Sequence, residues 1–176
     1  MLNIPASAAA PTFTTPLDML RACHGRILEQ CNTLHKLLQH LPAHGADLQA
    51  QQAAKAILRY FDTAGQFHHQ DEEVDLFPLL LATTQTESTT LIQQLLKEHQ
   101  MMNKAWRALR AQLSEIAAGN TASLEKIVVE HFSAAYERHI KLENEQLLPL
   151  AARLLSEQQL NQLGESMANR RKTKEH

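Results

Sequence analysis

The sequence predicts an all-α protein, an up-down-up-down four-helix bundle with a short fifth helix at the C-terminal end. Three observations predict it. Leu (28) and Ala (24) make up nearly a third of the 176 residues, against three Val, five Gly and six Pro. That composition favours helices over sheets. Apolar residues recur at alternating spacings of three and four, the signature of one buried helix face. Four such stretches of about 25 residues are separated by short breaker clusters, which places consecutive helices antiparallel.

Residues 1–15 read as a flexible N-terminal arm. Thr15-Pro16 starts the first helix, with a capping hydroxyl before a first-turn proline. Its inner stripe is Leu17, Leu20, His24, Ile27, Cys31, Leu34, Leu38 and Leu41. The cluster Leu41-Pro-Ala-His-Gly-Ala-Asp47 ends it, and Asp47 caps the next helix. The second helix turns Ala54, Ile57, Phe61, Ala64, His68 and Glu72 inward and ends near Pro78. Thr83–Thr90 is a Thr-rich linker. The third carries Ile92, Leu95, His99, Met102, Trp106, Leu109, Leu113 and Ile116, and Gly119-Asn120 stops it. Thr121 or Ser123 caps the fourth, whose stripe is Leu124, Val128, Phe132, Ala135, His139, Leu142 with Glu143, Gln146 and Leu147. A fifth helix spans Ser156 to Met167. The bundle is thus expected over residues 16–168 and a charged tail over 169–176.

Composition narrows the function. A net charge of −2 and a pI of about 6.5 give no reason to expect nucleic acid or an acidic membrane surface as partner. No stretch approaches the roughly 18 apolar residues of a membrane span. Cys23 and Cys31 are eight residues apart, about 12 Å along a helix and too far for a disulfide. The N-terminal segment has no Lys or Arg and does not read as a signal peptide. A reducing, cytoplasmic location is the expectation.

An internal repeat carries the chemistry. An offset of 75 residues lays the first helix on the third, with Leu20 on Leu95, His24 on His99 and Leu34 on Leu109. An offset of 71 lays the second on the fourth, with Phe61 on Phe132, His68 on His139, Glu72 on Glu143 and Pro78 on Pro149. Two copies of one hairpin make a pseudo-two-fold bundle, in which each inward polar residue meets its counterpart near the axis. Apolar matches follow from any bundle pattern; matched His and Glu do not. His68/Glu72 and His139/Glu143 stand at i, i+4, with Cβ atoms about 5–6 Å apart on one face. A carboxylate can bridge two cations and a neutral imidazole cannot. The six residues His24, His68, Glu72, His99, His139 and Glu143 therefore suit two metals, each taking two imidazoles and sharing both glutamates. Imidazole with carboxylate suits iron, manganese or zinc rather than calcium or magnesium. Without a metal the same core would bury two carboxylates at a real desolvation cost.

With these residues the chain resembles the hemerythrin-like, or HHE cation-binding, family. The likeness rests on Cys23-His24-Gly-Arg-Ile27, Phe67-His-His-Gln-Asp-Glu-Glu-Val-Asp-Leu-Phe-Pro78, Lys97-Glu-His99 and His139-Ile-Lys-Leu-Glu-Asn-Glu-Gln-Leu-Leu-Pro149, over about residues 17–155. The resemblance implies a non-haem di-iron centre with an oxo or hydroxo bridge. It implies O2, NO or peroxide as the small ligand, and a role in sensing, stress response or iron handling. It leaves open a peroxide- or NO-detoxifying enzyme, a metal-stabilised interaction module, and a partner protein or redox donor. The sequence departs from the oxygen-carrying members at Asn103, where they place a second third-helix histidine. It departs again at Glu143, where they place an aspartate one position later. The centre is accordingly expected to be more open than a reversible carrier.

The remaining residues have blander readings. His69/Glu73 is a competing register for His68/Glu72, disfavoured by the spacing to Pro78 and Pro149. His35 lies about 16 Å along the axis from His24 and cannot share its metals. His131 is peripheral, and His40, His44 and His176 are surface residues. Cys23, Cys31, Met102 and Trp106 are packing residues. Asp71, Glu73, Asp75 and Glu145 form a solvated acidic rim. Tyr60 and Tyr136, the candidate proton donors, lie off the inner stripe.

Overall fold

The computed structural model describes residues 10–83 and 85–172. Residues 1–9 of the expected arm and 173–176 of the expected tail, His176 among them, lie outside the described residues. The described residues form an all-α bundle.

Four long rods and one short helix make up the fold. The first rod is α1 (Pro16–His44). The second joins α2 (Leu48–Asp62), α3 (Ala64–Gln70), a π turn (Asp71–Leu76) and α4 (Phe77–Leu81). The third is α5 (Thr86–Ala117). The fourth joins α6 (Lys126–Leu142), a second π turn (Glu143–Leu147) and α7 (Leu148–Leu154). The fifth helix is α8 (Glu157–Lys172). Short connections make sequential rods antiparallel. α1 and α5 each pack against both α2 and α6.

The ends of these helices correct several expectations. The Thr15 hydroxyl donates to the Thr12 carbonyl and caps nothing. α1 runs through Pro42 and stops at Gly45, whose φ of 66° lets its N–H reach the Leu41 carbonyl at 2.8 Å. Asp47 caps α2 as expected, accepting from the Ala50 N–H at 2.8 Å. Thr63 breaks the second rod, with φ −125° and ψ −82°, and its hydroxyl bonds to the Arg59 carbonyl. α5 begins at Thr86, inside the expected linker. α6 begins only at Lys126, with neither Thr121 nor Ser123 as its cap; the Thr121 hydroxyl instead accepts from the Ser123 N–H. α8 continues past Met167 to Lys172.

Two apolar clusters fill the interior. One gathers Ile27, Cys31, Leu34, Ile57, Phe61, Met102, Trp106, Leu109, Phe132 and Tyr136. The other gathers Leu20, Leu76, Phe77, Leu80, Ile92, Leu95, Leu147 and Leu148, with Leu163 and Met167 of α8. On every rod the gap between them falls at the inward polar residues: His24 lies between Leu20 and Ile27, and His99 between Leu95 and Met102. The bundle thus holds a polar layer between two dry ones.

Candidate metal centre

Each hairpin brings its His and Glu together across the junction of an α-helix and a π turn. Phe77 N–H bonds back to the Glu72 carbonyl, and Leu148 N–H to the Glu143 carbonyl, five residues away. The next residues, Pro78 and Pro149, have no N–H to donate, and a proline ring collides with the carbonyl four residues before it. Widening the preceding turn relieves that collision, and such π turns concentrate at functional sites. The widened turn also re-phases the residues after it. Gln146, expected inward, is exposed, while Leu147 and Leu148 are both buried.

The structure brings all six predicted residues into one buried layer. His24, His68, Glu72 and Glu143 form one group, and Glu72, His99, His139 and Glu143 a second. Within each group one ligand atom per residue lies within 4.8 Å of all the others. His24 Nε2 is 3.0 Å from Glu143 Oε2 and 3.8 Å from Glu72 Oε1. His68 Nε2 is 3.3 Å from Glu72 Oε1, and His99 Nε2 is 3.3 Å from Glu72 Oε2. His139 Nε2 is 3.0 Å from Glu143 Oε1 and 3.0 Å from His99 Nε2. Both glutamates are fully buried and belong to both groups.

Three of the four outer ring nitrogens are already committed. His24 Nδ1 lies 2.8 Å from Asn144 Oδ1, His99 Nδ1 2.6 Å from Glu73 Oε1, and His139 Nδ1 2.7 Å from Glu98 Oε2. An acceptor at Nδ1 holds a proton there, so that the ring, when neutral, turns its Nε2 lone pair toward the layer, as metal ligation requires. Six of the eight inner atoms, by contrast, lack hydrogen bonds, while His99 Nε2 and His139 Nε2 pair with each other. Both oxygens of Glu72 and of Glu143, and the Nε2 atoms of His24 and His68, have no hydrogen-bond partner among the described residues. Buried polar atoms left this way are costly. Four nitrogen donors and two bridging-capable carboxylates fit two first-row transition-metal ions.

Protonation of the layer shows the same demand for positive charge. Burial opposes the charged form of every imidazole, yet proximity to Glu143 and Glu72 carries His24 to about 10. His99 likewise resists burial and rises to about 10 beside Glu72 and Glu73. His68 is enclosed more completely, and burial takes it down to about 4. Burial pushes both glutamates up, but the surrounding imidazoles outweigh it and hold Glu72 well below the usual carboxylate range and Glu143 below it. Metal ions would supply the same compensation with neutral imidazoles.

Several residues stand elsewhere than the sequence reading put them. Asp71 is not on a solvated rim: it is fully buried, held by Arg170 and by Arg171 at 2.7 Å, both from α8. Asp75 pairs with Arg170 at 2.5 Å, and Glu73, exposed as expected, also reaches His99. Tyr136 is buried and stacks parallel to His69, with centroids 6.0 Å apart. His69 is buried too, stacked on His99 at 4.0 Å, and neither of its ring nitrogens has a hydrogen-bond partner among the described residues. It is in neither ligand group. The repeat held the signal for it: position 69 corresponds to Ile140, also buried, so both hairpins turn this position inward. Val128 and Ala135, expected on the inner stripe, are only partly buried, and Val129 and Ser133 take the core positions.

No helix among the described residues is long and apolar enough to cross a membrane. The chain is 35% identical over 164 residues to an uncharacterized protein of Haemophilus influenzae (strain ATCC 51907 / DSM 11121 / KW20 / Rd), covering 93% of this chain and 94% of that one. The profile of the hemerythrin HHE cation binding domain matches residues 15–151, a span that contains all four rods up to Ala151 and the whole buried His/Glu layer. The chain therefore belongs to the hemerythrin HHE cation-binding domain family and is a metal-binding helical bundle.

Proposed function

We propose that this protein is a non-haem di-iron protein that binds a small ligand, O2, NO or peroxide, at an open iron position, in sensing, stress response or iron handling. The observation that carries this reading is the pair of overlapping His/Glu groups sharing Glu72 and Glu143. His24 and His68 would hold one ion, His99 and His139 the other, and the two glutamates both. The bound ions would supply Lewis acidity and electrons for a small ligand. The chain's own residues do the rest. Asn144, Glu73 and Glu98 fix three of the four rings with Nε2 inward. The two apolar clusters seal the layer from water above and below. Asn103, in place of a further imidazole, supports a position left open to the ligand. Such a site needs no nucleic acid or membrane; its electrons would come from a redox donor or partner protein, and its sealed, metal-rich interior suits a reducing cytoplasm.

The test is optical. Protein purified from iron-replete cells is examined in air before and after addition of azide. A charge-transfer absorption that shifts with azide, and saturates with it, is the expected result. An iron-loaded protein whose spectrum ignores azide, NO and peroxide alike would overturn the open-site reading.

A further inference from the structure

We propose that the two metal positions are inequivalent: the one held by His99 and His139 binds first and tightly, and the one held by His24 and His68 binds weakly and exchanges. The proposal rests on the di-metal reading above and adds which position is which.

The observation is the difference in what backs each imidazole. Both rings of the first pair are backed by carboxylates: His99 by Glu73 at 2.6 Å and His139 by Glu98 at 2.7 Å. In the second pair His24 is backed by the neutral amide of Asn144 at 2.8 Å, and His68 Nδ1 has no partner among the described residues. A carboxylate on Nδ1–H orients the ring, strengthens the Nε2 donor and adds a full negative charge next to the ion. An amide only orients. Removing such an outer partner typically costs about 10–100-fold in metal affinity.

The internal repeat shows where the asymmetry comes from. The 71-residue offset that lays Glu72 on Glu143 lays Glu73 on Asn144. The residue after each bridging glutamate therefore reaches across to the lone histidine of the opposite hairpin, Glu73 to His99 and Asn144 to His24. The 75-residue offset that lays His24 on His99 lays Cys23 on Glu98. Glu98 backs His139; its counterpart Cys23 is a buried thiol, and His68 goes without. The ligands keep the two-fold symmetry, and two substitutions in the shell behind them, Glu to Asn and Glu to Cys, break it on the same side. One position is thereby suited to keep its ion and the other to give one up to a competing chelator.

The test titrates metal-free, full-length protein with Fe(II) in the absence of oxygen, against a competing chelator. Two steps of one ion each, separated by at least about tenfold, are expected. Glu98→Gln should weaken the tighter step about tenfold and leave the weaker one in place. Asn144→Glu, which restores the missing carboxylate, should tighten the weaker step about tenfold, a gain that misfolding cannot mimic. Helix content of each metal-free variant is checked by circular dichroism. Two ions bound with one affinity, or an Asn144→Glu variant whose weaker step is unchanged, would overturn the inequivalence while leaving the di-metal reading intact. No binding by the wild-type protein would overturn that reading, and the inequivalence with it.

Discussion

His68 and His69 are sequence neighbours, both buried, with different surroundings. His68 lies 3.3 Å from Glu72 within a four-residue ligand group, whereas His69 stacks face to face on His99. His68→Ala should therefore lose at least one metal equivalent, and His69→Ala should keep two, as read by elemental analysis of purified protein. Equal losses would contradict the register. The six-residue layer was legible in the sequence because polar residues recurred at matched inward positions, which packing alone does not produce. The shell behind them was hidden. Glu73 and Asn144 follow the two shared glutamates and Glu98 precedes His99, so all three read as ordinary exposed helix positions until the rods are packed. Tyr136 was hidden for a different reason: the inner face of α6 is broad enough to bury Phe132, Ser133, Tyr136 and His139 together.

At the scale of the element, capping and widened turns decide where the buried His and Glu residues sit. Asp47 starts α2 by accepting from the Ala50 N–H, and that bond chiefly holds its carboxyl below the ordinary value of 3.8. A carboxyl whose pKa is lowered by folding stabilises the fold above its unfolded value and loses that contribution as pH falls through the folded one. Asp47→Ala should lower the thermal midpoint at neutral pH, and the gap from wild type should close as pH drops below about 4. A gap unchanged at pH 3 would contradict the charged-cap account. Pro16, Asp47 and Gly119 marked helix ends in the sequence, whereas the break at Thr63 and the starts of α5 and α6 carried no such mark. The π turns could not be read either, because periodicity records which residues face inward and not how many a turn contains. The Pro repeated six positions after Glu72 and after Glu143 was their trace.

Across the whole molecule, α8 closes the layer from the side. Leu163 and Met167 enter one apolar cluster, and Gly164 lets the chain before α1 pass so near that a Cβ there would collide with the Phe13 carbonyl oxygen. Arg170 and Arg171 reach the buried Asp71 between His68 and Glu72. From sequence, α8 is only a short amphipathic segment followed by loose charges, because its partners lie about 100 residues away. Replacing both arginines by alanine would leave the Asp71 carboxylate buried without these cations. The expected loss is on the order of 3 kcal/mol of stability in urea unfolding. A loss indistinguishable from zero would mean that the helix end is not coupled to the layer.

The central claim, that one buried layer holds two metal ions between four histidines and two shared glutamates, is tested most directly by counting metal. Protein produced in iron-replete cells, purified without chelators and analysed for iron and zinc per chain, should contain about two irons, and Glu143→Ala should lose more than the single ion that one histidine accounts for. No metal, or a single ion per chain, would contradict the two-metal claim, and two zinc ions in place of iron would contradict the iron assignment.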